Sequence, residues 1–307
     1  MNIPLLVHLM ILFVFPPLLL GIIAKTKAFF AGRIGPPVLQ PYYDLYKLMQ
    51  KASVYSVTTN WIFKAAPMVS CAAILAAGTM LPLAGFKPLA QFWGDLILYV
   101  YLFALARFVM ILAALDTGSS FEGMGASREA TFGCLSEITV FLNLTILALL
   151  SQSLSLSGIF LGGLSSSWLE VGPVLILVVV SFFLILLVEN SRIPIDDPDT
   201  HLELTMIHEV MVLDHSGVDL CYILYGKAVK LFLFGSMLVS MIITFKTQDL
   251  LIDTYFFILE MFGLAVLIGV VESTMARLRL NKVPYLLFSA FIFTVFAFIV
   301  ILARGRL

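Results

Sequence analysis

Eight apolar runs, each about 20 residues long, constrain this chain more than any other feature of its sequence. An α-helix of about 20 apolar residues crosses the ~30 Å hydrocarbon core of a bilayer. The sequence therefore predicts an all-α integral membrane protein with about eight transmembrane helices, arranged as a single polytopic membrane domain over residues 1–307. The runs cover residues 3–24, 64–83, 95–115, 130–150, 171–189, 228–245, 253–274 and 284–303.

The composition excludes several other classes of protein. Hydrophobic residues make up 61% of the chain and charged residues only 12%, about half the charged share of a soluble domain. A net charge of −1 argues against nucleic acid as a partner, because nucleic-acid-binding proteins carry a basic face. The three cysteines are odd in number and share no Cys-x-x-Cys spacing, so we expect neither a disulfide framework nor a cysteine-bound cluster. We expect this chain to hold no redox centre and no cofactor of its own.

Lys and Arg residues are distributed unevenly between the predicted loops. Thirteen lie in or beside the first, third, fifth and seventh loops, and four lie on the opposite side. Because cytoplasmic loops are enriched in Lys and Arg, the odd-numbered loops are predicted to be cytoplasmic and both termini to face outward. The thirteen are Lys25, Lys27, Arg33, Lys47, Lys51, Lys64, Arg128, Arg192, Lys227, Lys230, Arg277, Arg279 and Lys282.

The first loop combines helix breakers with an amphipathic pattern. Two Gly and three Pro up to Pro41 prevent a continuous helix there. Beyond this point Tyr42, Leu45, Tyr46 and Met49 fall on one helix face, which predicts an amphipathic helix lying in the cytoplasmic-side membrane interface. The spacing alone favours a plain lipid anchor over a docking helix.

Several carboxylates lie inside or beside the predicted spans, namely Glu137, Glu189, Glu260 and Glu272. Ionisable groups at membrane depth are costly and usually mark an ion or proton path. Arg107 lies at a similar depth to Glu137 in the preceding antiparallel span, so a buried ion pair is one interpretation. A proton relay is the other, and the excess of buried acids over buried bases favours it.

The third and fifth loops hold further acidic residues. The third loop, residues 116–129, contains Glu122 and Glu129 among Gly and Ser residues and fits either a solvated turn or a functional loop. In the fifth loop Thr200 and Glu203 form a capping box that predicts a helix start. This loop also contains an acidic cluster, which fits the mouth of a proton path or a docking surface. The cluster is Asp196, Asp197, Asp199, Glu203 and Glu209.

Three histidines, His201, His208 and His215, recur every seven residues in and after the fifth loop. On a helix they would share one face at steps of about 10 Å. This separation is too large for one metal ion, so we predict no metal site here.

Taken in order, these segments resemble the subunit 1 family of respiratory complex I, also called the H-subunit family. The first-loop match comprises Gly32, Arg33, Gly35, Pro36, Gln40, Pro41, Asp44, Lys47 and Leu48. The fourth span matches at Glu137, and the fifth loop matches at Glu189, Arg192, Pro194, Asp196, Asp199 and Glu203. The chain departs from this pattern at 195–197 and at His201. The segments 116–119, 197–209 and 272–280 are more similar to the membrane subunit of group 4 membrane-bound [NiFe] hydrogenases, the formate hydrogenlyase and hydrogenase-4 type.

The resemblance implies two sets of functional residues. Those expected to dock a soluble arm are Arg33, Gln40, Asp44, Lys47, Arg192, Asp196 and Asp197. Those expected to form a proton path are Glu137, Glu189, Glu203, Asp199, Glu129, Glu122, Glu260, Glu272 and Arg107.

The resemblance also implies a setting for the chain. Expected partners are hydrogenase large and small subunits and an iron–sulfur subunit on the cytoplasmic side, which would contain the [NiFe] and iron–sulfur centres. Antiporter-like membrane subunits and the lipid bilayer are the other expected partners. The expected location is a prokaryotic inner membrane.

Three other functions compete with the hydrogenase interpretation. A quinone-chamber subunit of an NADH:quinone oxidoreductase belongs to the same superfamily. A stand-alone secondary transporter would be expected to show inverted repeats, and none is evident in the sequence. A purely structural anchor would leave the buried acids without a role. For a quinone enzyme an open apolar chamber is required, whereas the acidic residue Asp197 predicts that this chamber is narrowed or filled.

Overall fold

The computed structural model describes residues 3–196, 206–243 and 249–305, and within these ranges it contains helices and no strands. The α-helices are α1 (Ile3–Val14), α2 (Pro16–Phe30), α3 (Gln40–Met49), α4 (Trp61–Met80), α5 (Asp95–Asp116), α6 (Ser120–Ser151), α7 (Leu156–Gly158), α8 (Leu164–Glu189), α9 (Gly217–Ile242), α10 (Leu250–Thr274) and α11 (Val283–Ala303).

Membrane-length helices account for most of the chain. Seven are long and apolar enough to cross a bilayer: α4, α5, α6, the part of α8 from Val171 to Glu189, α9, α10 and α11. The bent pair α1 and α2 provides an eighth span if the two helices cross together. The predicted fold class, an all-α membrane protein with about eight spans, is confirmed. The amphipathic helix predicted after Pro41 is present as α3.

The first span differs from the single straight helix predicted over residues 3–24. Two helices, α1 and α2, meet there at a bend of 45°. The bend coincides with Pro16 and Pro17 at the start of α2, because proline cannot donate the backbone hydrogen bond of a helix interior. The second helix continues to Phe30, beyond the predicted end of the apolar run.

The predicted third loop over residues 116–129 is wrong for most of its length. Helix α6 begins at Ser120 and runs for 32 residues, so Glu122 and Glu129 lie on a helix. Gly125 serves close packing, because a Cβ at this position would lie only 2.4 Å from Cγ1 of Val210. A residue type that is typical of turns therefore admits here the segment that returns from the fifth loop.

The sixth span is also longer than predicted, because α9 begins at Gly217 rather than at residue 228. Lys227, predicted just before this span, and Lys230, predicted at its loop end, consequently both lie well inside the helix. The helix predicted from Thr200 can be compared only beyond residue 205. There His208 precedes a short 3-10 helix, Glu209–Val212, so the expectation that His208 and His215 share an α-helix face is wrong.

Alternation of the spans defines two sides of the bundle. We call the side on which α2, α5, α8 and α10 end the odd-loop side, because the first, third, fifth and seventh loops lie there. The other side is the even-loop side. Between the two sides lies one cluster of buried apolar residues, which come from α1, α2, α4, α5, α6, α8, α9, α10 and α11. The polar network described next lies among these residues.

Candidate functional site

Arg107 lies at the centre of a buried cluster of three glutamates. Its Nε donates to Oε1 of Glu129 at 3.0 Å, and its Nη2 lies 2.5 and 2.6 Å from the two carboxylate oxygens of Glu189. Its Nη1 donates to Glu137. These side chains come from three helices, with Arg107 on α5, Glu129 and Glu137 on α6, and Glu189 at the end of α8. The guanidinium suits this position because its planar array of donors can bind several carboxylate oxygens at once.

Three further side chains complete this cluster, which we call the Arg107 network. Lys230 on α9 lies 2.6 Å from Glu189, and Nδ1 of His208 lies 2.5 Å from Oε2 of Glu129. Ser136 donates its hydroxyl to Glu189. The network therefore contains three carboxylates, one guanidinium, one lysine ammonium and one histidine, and by formal charge it becomes neutral when it holds one extra proton. Histidine is the residue type that gains and loses a proton near neutral pH.

Burial differs across the Arg107 network. The side chains of Glu129 and Glu189 are 5% and 3% exposed, whereas that of Glu137 is 35% exposed. Glu137 is also 17 residues from the start of α6, about 25 Å at 1.5 Å per residue. The network thus extends from the odd-loop side into the middle of the membrane-spanning part of the bundle.

Gly133 provides the space in which the Arg107 side chain lies. A Cβ at this position would come within 2.7–2.8 Å of the guanidinium and Cδ of Arg107. Such a contact is too short for any real side chain, so a larger residue would push Arg107 away from its carboxylates. Gly133 and Ser136 therefore form the face of α6 on which the network is assembled.

A cavity of about 100 Å³ borders the Arg107 network on the odd-loop side. Arg107, Glu129, Glu189, His208 and Lys230 line it, together with apolar residues of α4, α5 and α9. About 10–15 Å³ is enough for one water molecule. The cavity therefore has room for several waters beside the carboxylates of the network.

Two other acidic residues of the predicted proton path and docking surface form separate ion pairs. Glu272 lies 3.3 Å from Lys27 and 3.4 Å from Arg192. Asp196 pairs with Arg277 at 2.8 Å and accepts from the backbone N–H of residue 207. These contacts connect the fifth loop with α2 and with the seventh loop. Arg192 and Asp196 are thus largely buried within the chain, rather than presented on the docking surface on which we placed them.

Glu122 and Glu260 lie apart from the Arg107 network. Glu122 is buried near the start of α6 and accepts from the backbone N–H of Asp214. Glu260 lines a cavity of about 40 Å³ between α9 and α10, with Asp253 and Ser240. The remaining predicted members, Asp199 and Glu203, and the docking residue Asp197 lie outside the described residues.

His215 packs below the odd-loop surface rather than on a ligand-binding face. Its ring stacks on Phe63 with centroids 4.0 Å apart and an interplanar angle of 4°. Burial lowers the pKa of His215 to about 4, although Asp219 and Asp214 oppose the shift. In the described part of the chain, no three His, Cys, Asp or Glu side chains are grouped so that they could hold a metal ion.

The other docking residues lie at the odd-loop surface. Arg33, Asp44 and Lys47 are exposed, and Gln40 donates to Asp44 at 2.9 Å. Helix α3 packs on α2 and α9, yet Tyr46 and Met49 remain 65% and 60% exposed. The apolar face of α3 is therefore only partly used inside the chain.

The sequence identified four members of the Arg107 network and missed three. The possible Arg107–Glu137 pair is formed, but Glu129 and Glu189 bind the same guanidinium, so these acids are not the unpaired groups that the relay interpretation assumed. The sequence pattern indicates His208 only as a possible metal ligand and Lys230 only as a cation at the loop end of its span, and it gives no signal for Ser136. The apolar residues from 217 onward indicate an earlier helix start, which places Lys230 well inside α9.

Comparisons with known proteins agree with this architecture. The family described as NADH dehydrogenase matches residues 2–303. Formate hydrogenlyase subunit 4 of Escherichia coli (strain K12) is 33% identical over 306 residues, which cover 97% of this chain and 98% of that protein. Hydrogenase-4 component C of the same organism is 33% identical over 291 residues, covering 91% and 90%.

One more distant sequence relative and one solved structure are also similar to this chain. The H subunit of NADH-quinone oxidoreductase from Burkholderia vietnamiensis (strain G4 / LMG 22486) is 22% identical over 280 residues, covering 85% of this chain and 77% of that one. A chain from the structure of the membrane-bound sulfane sulfur reductase, an archaeal respiratory membrane complex, superposes with a TM-score of 0.79 at 19% identity, covering 96% and 98%. The chain is a multi-pass membrane subunit of a respiratory-type complex. It belongs to the NADH dehydrogenase family and is more similar to the formate hydrogenlyase and hydrogenase-4 proteins than to the NADH-quinone oxidoreductase protein.

Proposed function

We propose that this chain is the membrane-anchor and coupling subunit of a multi-subunit, membrane-bound [NiFe] hydrogenase of the formate hydrogenlyase type. It docks the soluble arm and links electron transfer in that arm to ion movement through its buried carboxylates. The observation that carries the proposal is the Arg107 network, which joins a fifth-loop histidine to a carboxylate in the middle of the bundle.

The charge balance of the Arg107 network supports a role in proton movement. By formal charge, three carboxylates face one guanidinium and one lysine ammonium, and one added proton restores neutrality. That proton has a natural position between His208 and Glu129, where the two side chains are 2.5 Å apart. Waters in the adjoining cavity would connect this position with Glu189. Arg107 binds both Glu189 and Glu137, so Glu137 is the next carboxylate along the path. The network therefore stores one exchangeable proton at the end nearest the fifth loop.

Two observations favour a hydrogenase over a quinone-reducing enzyme, which is the alternative function. The chain is 33% identical to formate hydrogenlyase subunit 4 but 22% identical to the H subunit of NADH-quinone oxidoreductase. The cavity beside the network measures about 100 Å³, whereas pockets for drug-sized ligands measure about 300–1,000 Å³. Charged side chains also line it, and these are costly to desolvate around a neutral ring.

The proposed setting follows from the loops. The odd-loop side would face the cytoplasm of a prokaryotic cell and receive the large, small and iron–sulfur subunits, so that both termini lie on the outer side of the cytoplasmic membrane. Antiporter-like subunits would lie beside the chain in the bilayer. The [NiFe] and iron–sulfur centres would belong to the partner subunits, and this chain would hold none.

The composition of the complex tests the assignment. The chain is tagged, the complex is extracted in mild detergent, and its subunits are identified by mass spectrometry while hydrogen evolution is measured. The proposal predicts a hydrogenase large subunit and hydrogen evolution in the same fraction. Flavin- and NADH-binding subunits in place of the large subunit would establish the complex I alternative, and a chain that purifies alone would contradict both.

Docking is tested by charge reversal on α3. Lys47→Glu places a negative charge on the exposed odd-loop surface, so the yield of the soluble arm in the purified complex should fall while membrane insertion is retained. Lys87→Glu makes the same reversal at an exposed position on the even-loop side and should leave the arm bound. Full arm binding by Lys47→Glu at physiological salt would remove α3 from the docking surface.

A further inference from the structure

The hydroxyl of Tyr99 is a buried polar group without a protein partner. Tyr99 is 1% exposed, and its hydroxyl oxygen makes no hydrogen bond within the described part of the chain. Its ring is fixed against Phe103, with centroids 5.1 Å apart in an edge-to-face arrangement. Buried hydroxyls are almost always hydrogen-bonded to protein or to ordered water. We therefore expect the Tyr99 hydroxyl to bind a partner such as a water molecule.

Tyr99 lies beside the inner end of the Arg107 network. Each of Tyr99 and Glu137 is 17 residues from the odd-loop end of its helix, counted from Asp116 on α5 and from Ser120 on α6. At 1.5 Å per residue both are about 25 Å from those ends. Because α5 and α6 are antiparallel neighbours, the two residues lie at the same depth.

One small cavity connects the two residues. It is lined by Tyr99, Arg107, Glu137 and Glu189, with apolar residues closing the remaining walls. Its volume is about 10 Å³, which corresponds to about one water molecule. A site for water also needs polar partners, and the residues that line this cavity carry a hydroxyl, a guanidinium and two carboxylates.

We propose that a single bound water in this cavity joins the Tyr99 hydroxyl to the Glu137 carboxylate, and that Tyr99 extends the proton path beyond Glu137 towards the even-loop side. The inference rests on the proposed function of the Arg107 network. It assigns to Tyr99 a role in the half of the membrane for which the network itself provides no titratable group.

The next acidic residue along this face of α5 is Asp95, one helical turn from Tyr99. Asp95 is fully buried and accepts from Oγ of Ser155 at 2.9 Å and from the backbone N–H of Leu156 at 2.7 Å. Residues four apart on a helix are neighbours on its surface. Asp95 therefore lies between Tyr99 and the even-loop end of the bundle.

The proton transfer balances without any redox change. Protonated Glu137 gives its proton to the water, and the water gives one of its own to the Tyr99 oxygen. Tyr99 gives its hydroxyl proton, by way of a further water, to the Asp95 carboxylate. Water and tyrosine each lose one O–H bond as they gain another. The net result is that negative charge moves from Asp95 to Glu137, and no electrons are transferred.

Removal of the Tyr99 hydroxyl tests the inference. The assembled complex carrying Tyr99→Phe is reconstituted in liposomes, and proton uptake is followed with a pH-sensitive dye during hydrogen evolution. We expect proton translocation to slow at least about tenfold, as when a proton-transferring group is lost, while hydrogen evolution with a protonophore is retained. Tyr101→Phe removes a hydroxyl from a 66% exposed position on the same helix and should change neither rate.

The outcomes separate this inference from the function on which it rests. If Glu137→Gln stops translocation but Tyr99→Phe translocates at the wild-type rate, the role of Tyr99 is refuted and the network retains its role. If neither substitution affects translocation, the proposed coupling function fails as well.

A second variant covers the case in which Tyr99→Phe does not assemble. Incorporation of 3-fluorotyrosine at position 99 retains the ring and the hydroxyl but makes the hydroxyl more acidic. If the hydroxyl takes part in transfer, the pH dependence of translocation should shift to lower pH. An unchanged pH profile in a fully assembled complex would refute the inference.

Discussion

Substitution of Arg107 by Gln removes the central cation of the network and should strongly destabilise the chain. Arg107 binds Glu129, Glu137 and Glu189, and loss of one partner from a buried ion pair typically costs about 3–5 kcal/mol. Glu129 and Glu189 retain His208 and Lys230 as partners. The costs of losing the three Arg107–glutamate ion pairs are therefore not additive.

Protonation of one carboxylate limits the cost, because it restores the charge balance that Arg107 provides. Protonating a glutamate carboxylate that has a reference pKa of about 4.3 costs about 3.7 kcal/mol at pH 7 and about 1 kcal/mol at pH 5. We therefore expect Arg107→Gln to lower the free energy of unfolding by about 3–4 kcal/mol at pH 7 and by about 1 kcal/mol at pH 5. The sign follows because the folded variant takes up a proton that the unfolded chain does not hold, so its stability rises as the pH falls.

Equilibrium unfolding of the purified protein in mixed detergent micelles, followed by tryptophan fluorescence, measures this effect at both pH values. Arg33→Gln, at an exposed position, is the matched control and should change stability little. Arg107→Gln combined with Glu189→Gln should recover most of the loss at pH 7 and depend less on pH. A loss below about 1 kcal/mol at pH 7, or one that grows at pH 5, would refute the central position of Arg107 in the charge balance.

Two further substitutions test other parts of the structure. Gly133→Ala places a Cβ within 2.8 Å of Arg107 and should destabilise the chain by about 1–3 kcal/mol in the same unfolding assay. Gly123→Ala on the same helix meets nothing within 4 Å and should be neutral or stabilising. His215 has its pKa lowered from 6.5 to about 4 by burial, so the unfolded chain binds this proton first and stability should fall as the pH drops from about 6.5 to about 4. His215→Phe should remove that pH dependence while keeping the stack on Phe63, and an unchanged pH profile would show that other groups cause it.

The spans and the Arg107–Glu137 pair could be predicted from the sequence for physical reasons. Lipid requires long apolar helices, and two antiparallel helices joined by a short turn bring residues of equal depth together. Arg107 and Glu137 also stand out because charged residues are rare at membrane depth. These signals depend on residue type and position along the chain, both of which the sequence contains.

The remaining members of the network depend on contacts that the sequence pattern does not reveal. Lys230 follows Lys227 at the edge of an apolar run, which is typical of a loop, yet its pairing with Glu189 allows it to lie inside α9. His208 reaches Glu129 only because the segment after the fifth loop packs against Gly125. Glycines that serve close packing carry the same sequence signal as glycines in turns.

Proton translocation by the assembled complex carrying Glu137→Gln tests the proposed coupling role most directly. The substitution retains the shape of the side chain and a hydrogen-bond acceptor for Arg107 but removes the titrating group. Measured in liposomes during hydrogen evolution, translocation should be lost while the complex remains assembled and hydrogen evolution with a protonophore continues. Translocation at the wild-type rate would contradict a proton path through the network and would leave the Arg107–Glu137 contact as a structural ion pair.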